Sequence, residues 1–339
     1  MSTPTPSLST TARQVLADIA AKVSPYSQQP VDQAFVEHVS NVYHGMEAAH
    51  YDEYESSIAD AEEAWQKALH FLAQRLPQRI RVLDYGAGTG FASLQMLQSA
   101  IGPRIAELVC FDLSPAMIEM CREKMKAFPQ VRFTFYADVA GREALRQEAP
   151  FHIVATNAVL HHMYDVNDFL KQLPAMVHPD GVYIAGHEPN RPFYYNAVLL
   201  KATRQFQVYK RLRRRLSPGF WLQKLGAKAV TPSFIQRTID ALLADGSLAR
   251  PLPHFYVQKM IDVHVPWGLG LDQPWGQIGF SSSETATQLG EDWKAVFTAS
   301  YSHIKDAEAT HHWWWKHRIS KLADRYPADG ADALVVFGR

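Results

Sequence analysis

Residues 82–90, Val-Leu-Asp-Tyr-Gly-Ala-Gly-Thr-Gly, limit what this chain can fold into more than any other stretch. Ile80, Val82 and Leu83 read as the end of a buried strand that Asp84 closes. Gly86, Gly88 and Gly90 then let the backbone turn tightly, and the residues after Gly90 run on as a helix. Glycine suits such a turn because it tolerates unusual φ/ψ and lets a ligand approach the main chain. Gly-x-Gly-x-Gly alone is a weak signal, and a strand before it, a helix after it and an acid further on strengthen it. That acid is Asp112, 22 residues past Gly90, at the end of the apolar run Leu108 to Phe111. A carboxylate at the tip of a second strand can accept both ribose hydroxyls of an adenosine.

Two nucleotide classes share this arrangement. Dinucleotide sites prefer Gly-x-Gly-x-x-Gly, which seats a diphosphate on the helix N-terminus. Here the third glycine comes one residue early, and Asp84 stands just ahead of the turn. A carboxylate there would repel a diphosphate and suits a ligand carrying an ammonium and a sulfonium. The stretch Val82 to Gly90 resembles the first motif of the class I S-adenosylmethionine-dependent methyltransferases, in their small-molecule branch. The resemblance implies an α/β fold with a doubly wound, mostly parallel seven-stranded sheet, Rossmann-like in type. It implies S-adenosylmethionine as cofactor and S-adenosylhomocysteine as product, held by Asp84, Gly86, Ala87, Gly88 and Gly90 and, past the second strand, by Asp112, Leu113 and Met117.

The rest of the chain is read around this turn. Residues 1–11 are rich in Ser, Thr and Pro without a basic start or an apolar core, so they read as a disordered tail and not a signal peptide. Residues 12–78 read as a helical lid, from Val15, Ile19 and Val23 and then Phe35, Val39, Val42 and Tyr43 at helical spacing. Tyr51 and Tyr54 are similar to lid aromatics of small-molecule methyltransferases, where cation–π attraction favours a ring near a sulfonium. Packing of a surface helix is the alternative for both. Residues 79–190 and 281–339 form the cofactor-binding domain, with strands at 80–84, 106–112, 131–136, 151–156 and 182–186 and helices at 90–100, 115–127, 142–148 and 166–177. Ala295 to Tyr301 and Ala333 to Gly338 read as the sixth and seventh strands, the last antiparallel beside the sixth. Ser281 to Glu284 has the look of a capping box. Residues 191–280 are a mainly helical insertion, read as the acceptor pocket.

Further site residues follow from the resemblance. Asp138 after the third strand is similar to the residue that reads the adenine amine, with Val139 as the neighbour whose backbone meets the ring. A helix cap is the alternative for Asp138. Asn157 and Ala158 open the block Asn-Ala-Val-Leu-His-His-Met, which resembles the motif lying under the methionine part of the cofactor. His161 or His162 could serve as general base on an acceptor hydroxyl or amine, or else pack a loop. Glu188, in a Glu-Pro after the fifth strand, is a candidate substrate contact or a helix cap. His303 and the run His311 to His317 lack regular ligand spacing, so no metal is expected. Trp313 to Trp315 read as a helix wedged against the sheet or as an aromatic pocket wall.

Equal totals of 34 basic and 34 acidic residues give no global field toward nucleic acid or membrane. The run Lys210 to Arg215 is read as a solvated helix face, because no stacking aromatics interleave it. Two cysteines, Cys110 and Cys121, suggest no disulfide framework, and a cytoplasmic chain with a small-molecule acceptor and no nucleic-acid or membrane partner is expected, with a homodimer left open. The implied reaction moves a methyl group to an O, N or C atom of a small, partly apolar or aromatic metabolite, and it needs positioning more than a nucleophile. An RNA or protein methyltransferase is the runner-up, although the Asn/Asp-Pro-Pro-Tyr/Phe tetrapeptide is missing after Asn157. A cofactor-binding module without turnover comes third.

Overall fold

The structure is a computed structural model that describes residues 9–48, 58–145, 147–216, 233–265, 275–307 and 310–339. Its centre is a seven-stranded sheet in the order β3-β2-β1-β4-β5-β7-β6. The strands are β1 (Ile80–Tyr85), β2 (Ile105–Asp112), β3 (Arg132–Ala137), β4 (Phe151–Asn157), β5 (Val177–Pro189), β6 (Lys294–Tyr301) and β7 (Asp332–Gly338). The first five run parallel, and β7 lies antiparallel between β5 and β6. The strand order reverses between β1 and β4, and open α/β sheets bind their ligands at the carboxyl ends of the strands flanking such a reversal.

Alternation along each strand builds two cores. Val82, Leu108 and Ile153 face one side, where they meet Trp65, Leu69 and Leu72 of α3 (Ile58–Ala73). Their neighbours Leu83, Val109 and Val154 face the other side and meet Leu160, Leu170 and Leu173. The remaining elements of the sheet domain are α4 (Phe91–Leu97), α5 (Pro115–Met125), α6 (Asp138–Leu145) and α7 (Val166–Gln172). Ser114 caps α5 with Pro115 at its first position, as the sequence leads one to expect. Cys110 and Cys121 are both free and buried.

Several expectations are corrected. Helix α1 (Thr10–Val23) starts inside the expected 1–11 tail, because the Ser9 side chain accepts the Ala12 N–H and also donates to Asp165. α6 begins at Asp138, four residues before the expected start. Ser281 makes no capping bond: its hydroxyl meets that of Ser283, and Glu284 instead pairs with Arg191 at 2.5 Å.

The lid and the insertion are not separate bodies. Val15 and Ile19 of α1 and Phe35 and Val39 of α2 (Gln33–Glu47) share a core with Ile239 and Leu242 of α10 (Phe234–Ala244), Val257 of α11 (His254–Ile261) and Trp275. α3, expected in the lid, packs on the sheet. The other half of the insertion, α8 (Arg191–Tyr195) and α9 (Ala197–Leu216), packs with α13 (Trp313–Arg325). The remaining helix, α12 (Ser282–Leu289), adds to the core beside α7. Tyr51 and Tyr54 lie outside the described residues. No helix among the described residues is long and apolar enough to cross a membrane.

Candidate functional site

The carboxyl ends of β1, β2 and β4 open into a cavity of about 1130 Å³. Asp84, Gly86, Ala87 and Gly88 line it from the glycine turn, and Asp112, Leu113 and Met117 line it from the tip of β2 and the start of α5. Val139, Asn157, Ala158 and His162 complete the set of sequence-derived residues that meet there.

The turn is built for a ligand. Asp84 is fully buried, and its Oδ2 accepts the Ser93 N–H at 3.0 Å and the Ser93 hydroxyl at 2.6 Å. Its Oδ1 has no partner, and burial pushes the carboxyl up to about 6. A buried carboxylate oxygen left unmatched is costly, so it marks a place where a donor is wanted. The three glycines have different duties. A Cβ on Gly86 would stand 2.4 Å from Val159, whereas a Cβ on Gly88, at φ +52°, would meet nothing within 4 Å and would project into open space. Gly90, expected as a cofactor contact, is not among the residues lining the cavity: it caps α4, and a Cβ there would abut Cys121 and Met125. The unmatched Asp84 oxygen and the open cradle at Gly88 fit a bulky cationic ligand.

Asp112 ties the site together. Its Oδ2 accepts the Gly88 N–H at 2.9 Å and its Oδ1 the Ser114 N–H at 2.8 Å. Burial raises its carboxyl above the ordinary range, and these two N–H donors work against that shift. Each oxygen keeps a further lone pair for a hydroxyl. Asn157 is held by the Trp65 indole N–H, which donates to its Oδ1 at 2.9 Å. This contact depends on Gly186, where a Cβ would meet Asn157 Oδ1 at 2.8 Å and the Trp65 ring at 2.9 Å. Sequence reasoning did not single out Gly186, although a glycine closing a predicted strand was the available signal.

Three expected roles change. Asp138 has φ +62°, opens α6, and its carboxylate accepts the Gly141 N–H at 3.1 Å, so it caps its own helix and does not line the cavity. Glu188 is buried away from the cavity. Its Oε1 accepts the Val159 and Leu160 N–H groups at 2.8 Å each, and its Oε2 accepts the His161 N–H at 3.2 Å and meets His161 Nδ1 at 2.8 Å. His161 is spent on Glu188 and likewise does not line the cavity. Burial opposes charge on His161, yet the adjacent carboxylate leaves its net shift upward. Both residues thus hold the short 3-10 turn Leu160–His162 in place.

His162 does face the cavity. Its Nδ1 lies 2.8 Å from the Ile261 carbonyl, which can only accept, so the hydrogen sits on Nδ1 and Nε2 carries the lone pair. Burial, with His161 and His44 nearby, keeps the ring far below the ordinary histidine value and therefore neutral. The imidazoles of His161 and His162 and the Asp262 carboxylate place ligand-type atoms within 4.8 Å of one another, but the first two rings are already engaged by Glu188 and Ile261. His303 binds the Tyr326 carbonyl, and Trp315, which is not among the residues lining the cavity, packs on Phe206 and Tyr209.

The wall that the sequence did not reveal is α2. Gln33, Glu37, Ser40, Asn41 and His44 project into the cavity, and Glu37 pairs with Arg142 of α6 at 3.5 Å. A polar face on an amphipathic helix reads as a solvent face, and only the fold shows that it roofs a cavity.

A doubly wound sheet with a glycine turn over a switch-point cavity is the arrangement of the nucleotide-binding α/β folds. Residues 57–225, just under half of the chain, match the family model described as a methyltransferase domain, and this stretch is a methyltransferase domain of the class I, S-adenosylmethionine-dependent type. It is 29% identical over 119 residues to the tRNA 5-carboxymethoxyuridine methyltransferase of Escherichia coli, a match covering 35% of this chain and 44% of that one. It is 24% identical over 176 residues to a highly reducing polyketide synthase of Aspergillus sclerotiorum, covering 50% of this chain and 6% of that one. The chain therefore spans less than half the length of these curated relatives. Among solved structures, the Haloferax volcanii complex of the Trm112 methyltransferase activator with a methyltransferase aligns over 87% of this chain and 96% of that one, at 12% identity and a TM-score of 0.39.

Proposed function

We propose that the cavity holds S-adenosylmethionine and a small acceptor side by side, and that a methyl group moves in line to an O, N or C atom of the acceptor. One observation carries this reading: the glycine turn, Asp112 and a neutral histidine line one continuous cavity of about 1130 Å³. Single-ligand pockets run to roughly 1,000 Å³, so this one has room for a donor and a modest acceptor together. Bound S-adenosylmethionine supplies an electrophilic methyl on a sulfonium, whose displacement leaves S-adenosylhomocysteine.

The chain's own residues then orient and hold. Asp84 offers its unmatched oxygen to the ligand's ammonium end, and Asp112 offers its remaining lone pairs to the ribose hydroxyls. Val139, Leu113 and Met117 supply apolar surface for the adenine. His162, neutral and with Nε2 unprotonated, accepts the proton that an attacking hydroxyl or amine gives up. Glu188 and His161 position the turn that carries it. α2 walls one side of the site and helps hold donor and acceptor together, which favours direct transfer.

A tRNA acceptor is the second reading, and the Escherichia coli relative is what favours it. Incubating the protein with isotope-labelled cofactor and, separately, a metabolite extract or total tRNA separates the two. Label in a small molecule supports the first reading, and label in tRNA alone overturns it.

A further inference from the structure

The charges of this neutral chain are unevenly placed. From Asn190 to Ile239 it carries no Asp or Glu and eleven Lys and Arg. Much of that excess sits on α9, whose first half packs through Leu199, Ala202 and Phe206, while every residue from Lys210 to Leu216 is exposed. Helix α13 runs antiparallel beside it. Arg318 donates to Gln205 at 2.6 Å, Phe206 and Tyr209 meet Trp315, and Tyr209 meets His312 with ring centres 5.7 Å apart. The last turns of α9 therefore overhang the start of α13.

At that overhang apolar side chains are left in water. Trp313 is 73% exposed, Leu216 83% and Leu212 54%. Leu212 and Leu216 follow Tyr209 at positions i+3 and i+7, so they continue the stripe that packs on α13. The basic run looked like a solvated face because its aromatic neighbours lie about a hundred residues later in the chain. Folding brings the start of α13, through His312 and Trp315, onto Tyr209, one residue before that run.

We propose that this overhang docks on an anionic lipid bilayer, with Trp313, Leu212 and Leu216 entering the boundary between headgroups and acyl chains. Indoles favour that boundary, and cationic side chains beside them are drawn to acidic headgroups. Charge complementarity selects an acidic partner, and the aliphatic side chains select lipid over RNA. A leucine offers no ring on which a base can stack, whereas it gains directly from leaving water. The docking is peripheral and independent of which acceptor the cavity takes.

Flotation of the 339-residue chain with phosphatidylcholine vesicles, with and without phosphatidylserine, tests this. Binding is expected only to the phosphatidylserine vesicles, weakening at high salt. Each cation near the surface contributes about a fivefold factor, so Arg211→Gln with Arg213→Gln should lower partitioning at least tenfold. Trp313→Ala with Leu216→Ala should lower it comparably, while the melting shift on adding S-adenosylhomocysteine stays as in the parent. No binding, equal binding to neutral vesicles, or binding unmoved by either double variant overturns the proposal. So does a surface that these variants show to hold tRNA and not vesicles.

Discussion

The Asp112 carboxylate accepts the Gly88 N–H at 2.9 Å, joining the tip of β2 to the glycine turn across the neighbouring strand. One side chain thus shapes the turn and faces the cavity, so its two duties must be separated in any test. Asp112→Asn keeps a carbonyl for one backbone donor and removes the charge. It should weaken S-adenosylhomocysteine binding at least tenfold by calorimetry, since a hydrogen bond to a charged group is worth about 1.5–3 kcal/mol. The unliganded protein should also melt somewhat lower, because one of the two N–H groups now faces an amide. Unchanged affinity would remove Asp112 from the ribose site.

Ligand choice can be read from melting alone. S-Adenosylhomocysteine at about a hundred times its Kd stabilises by about 2.7 kcal/mol, a rise of a few degrees for a chain of this size. NAD should give no rise, because Asp84 stands where a diphosphate would have to sit. Stabilisation by NAD alone would overturn the argument from the early third glycine.

Gly88 and Gly186 should respond in opposite ways. Gly88→Ala adds a methyl pointing into open space, so it should abolish cofactor binding while the left-handed backbone costs only about 1–2 kcal/mol. Gly186→Ala drives a methyl against Asn157 and Trp65 and should destabilise by roughly 1–3 kcal/mol before any effect on binding is read. Equal melting losses with equal affinities would show that neither contact is as drawn.

Which parts were legible in the sequence follows from locality. The turn from Val82 to Gly90, the acid at Asp112 and the strand pattern are local signals, and β1 and β2 realise them nearly residue for residue, whereas β5 starts at Val177, inside the helix expected at 166–177. Asp138 could be a ligand contact or a helix cap from sequence, and in the fold its carboxylate accepts the Gly141 N–H as a cap does. Glu188 looked exposed to substrate because its position at a strand end is shared by ligand contacts. Its actual partners are the N–H groups of Val159, Leu160 and His161, 27 to 29 residues earlier in the chain. Longer separations along the chain hide the α2 wall and the pairing of α9 with α13.

His264 gives a pH test. It is buried, donates from Nε2 to the Met163 carbonyl at 2.7 Å, and accepts the Gln277 N–H on Nδ1 at 2.9 Å. A second ring proton would point at that N–H, and burial lowers the ring's pKa to about 4. Between about 6.5 and 4 the unfolded chain binds this proton and the folded chain does not, so the contribution is complete above 6.5 and is lost as pH falls. The linkage amounts to about 3 kcal/mol over that window. In urea titrations His264→Gln should start less stable at pH 7 and lose less than the parent on going to pH 5. Parallel curves would mean that this ring titrates normally.

The proton taken from the acceptor is the most direct test of the site. His162 is held neutral by burial, and its Nδ1 hydrogen is committed to Ile261, leaving Nε2 as the proposed base. With an acceptor found by the labelled-methyl screen, the parent's kcat should be flat near pH 7 and fall only well below 6.5, where the ring at last protonates. His162→Gln should lower kcat by about a hundredfold or more with little change in cofactor affinity, and its acid limb should vanish. His161→Asn acts through Glu188 and the 3-10 turn, so it should raise KM along with lowering kcat and leave an acid limb in place. A His162→Gln enzyme that keeps both its kcat and its acid limb would show that the acceptor arrives already ionised or loses its proton to another group.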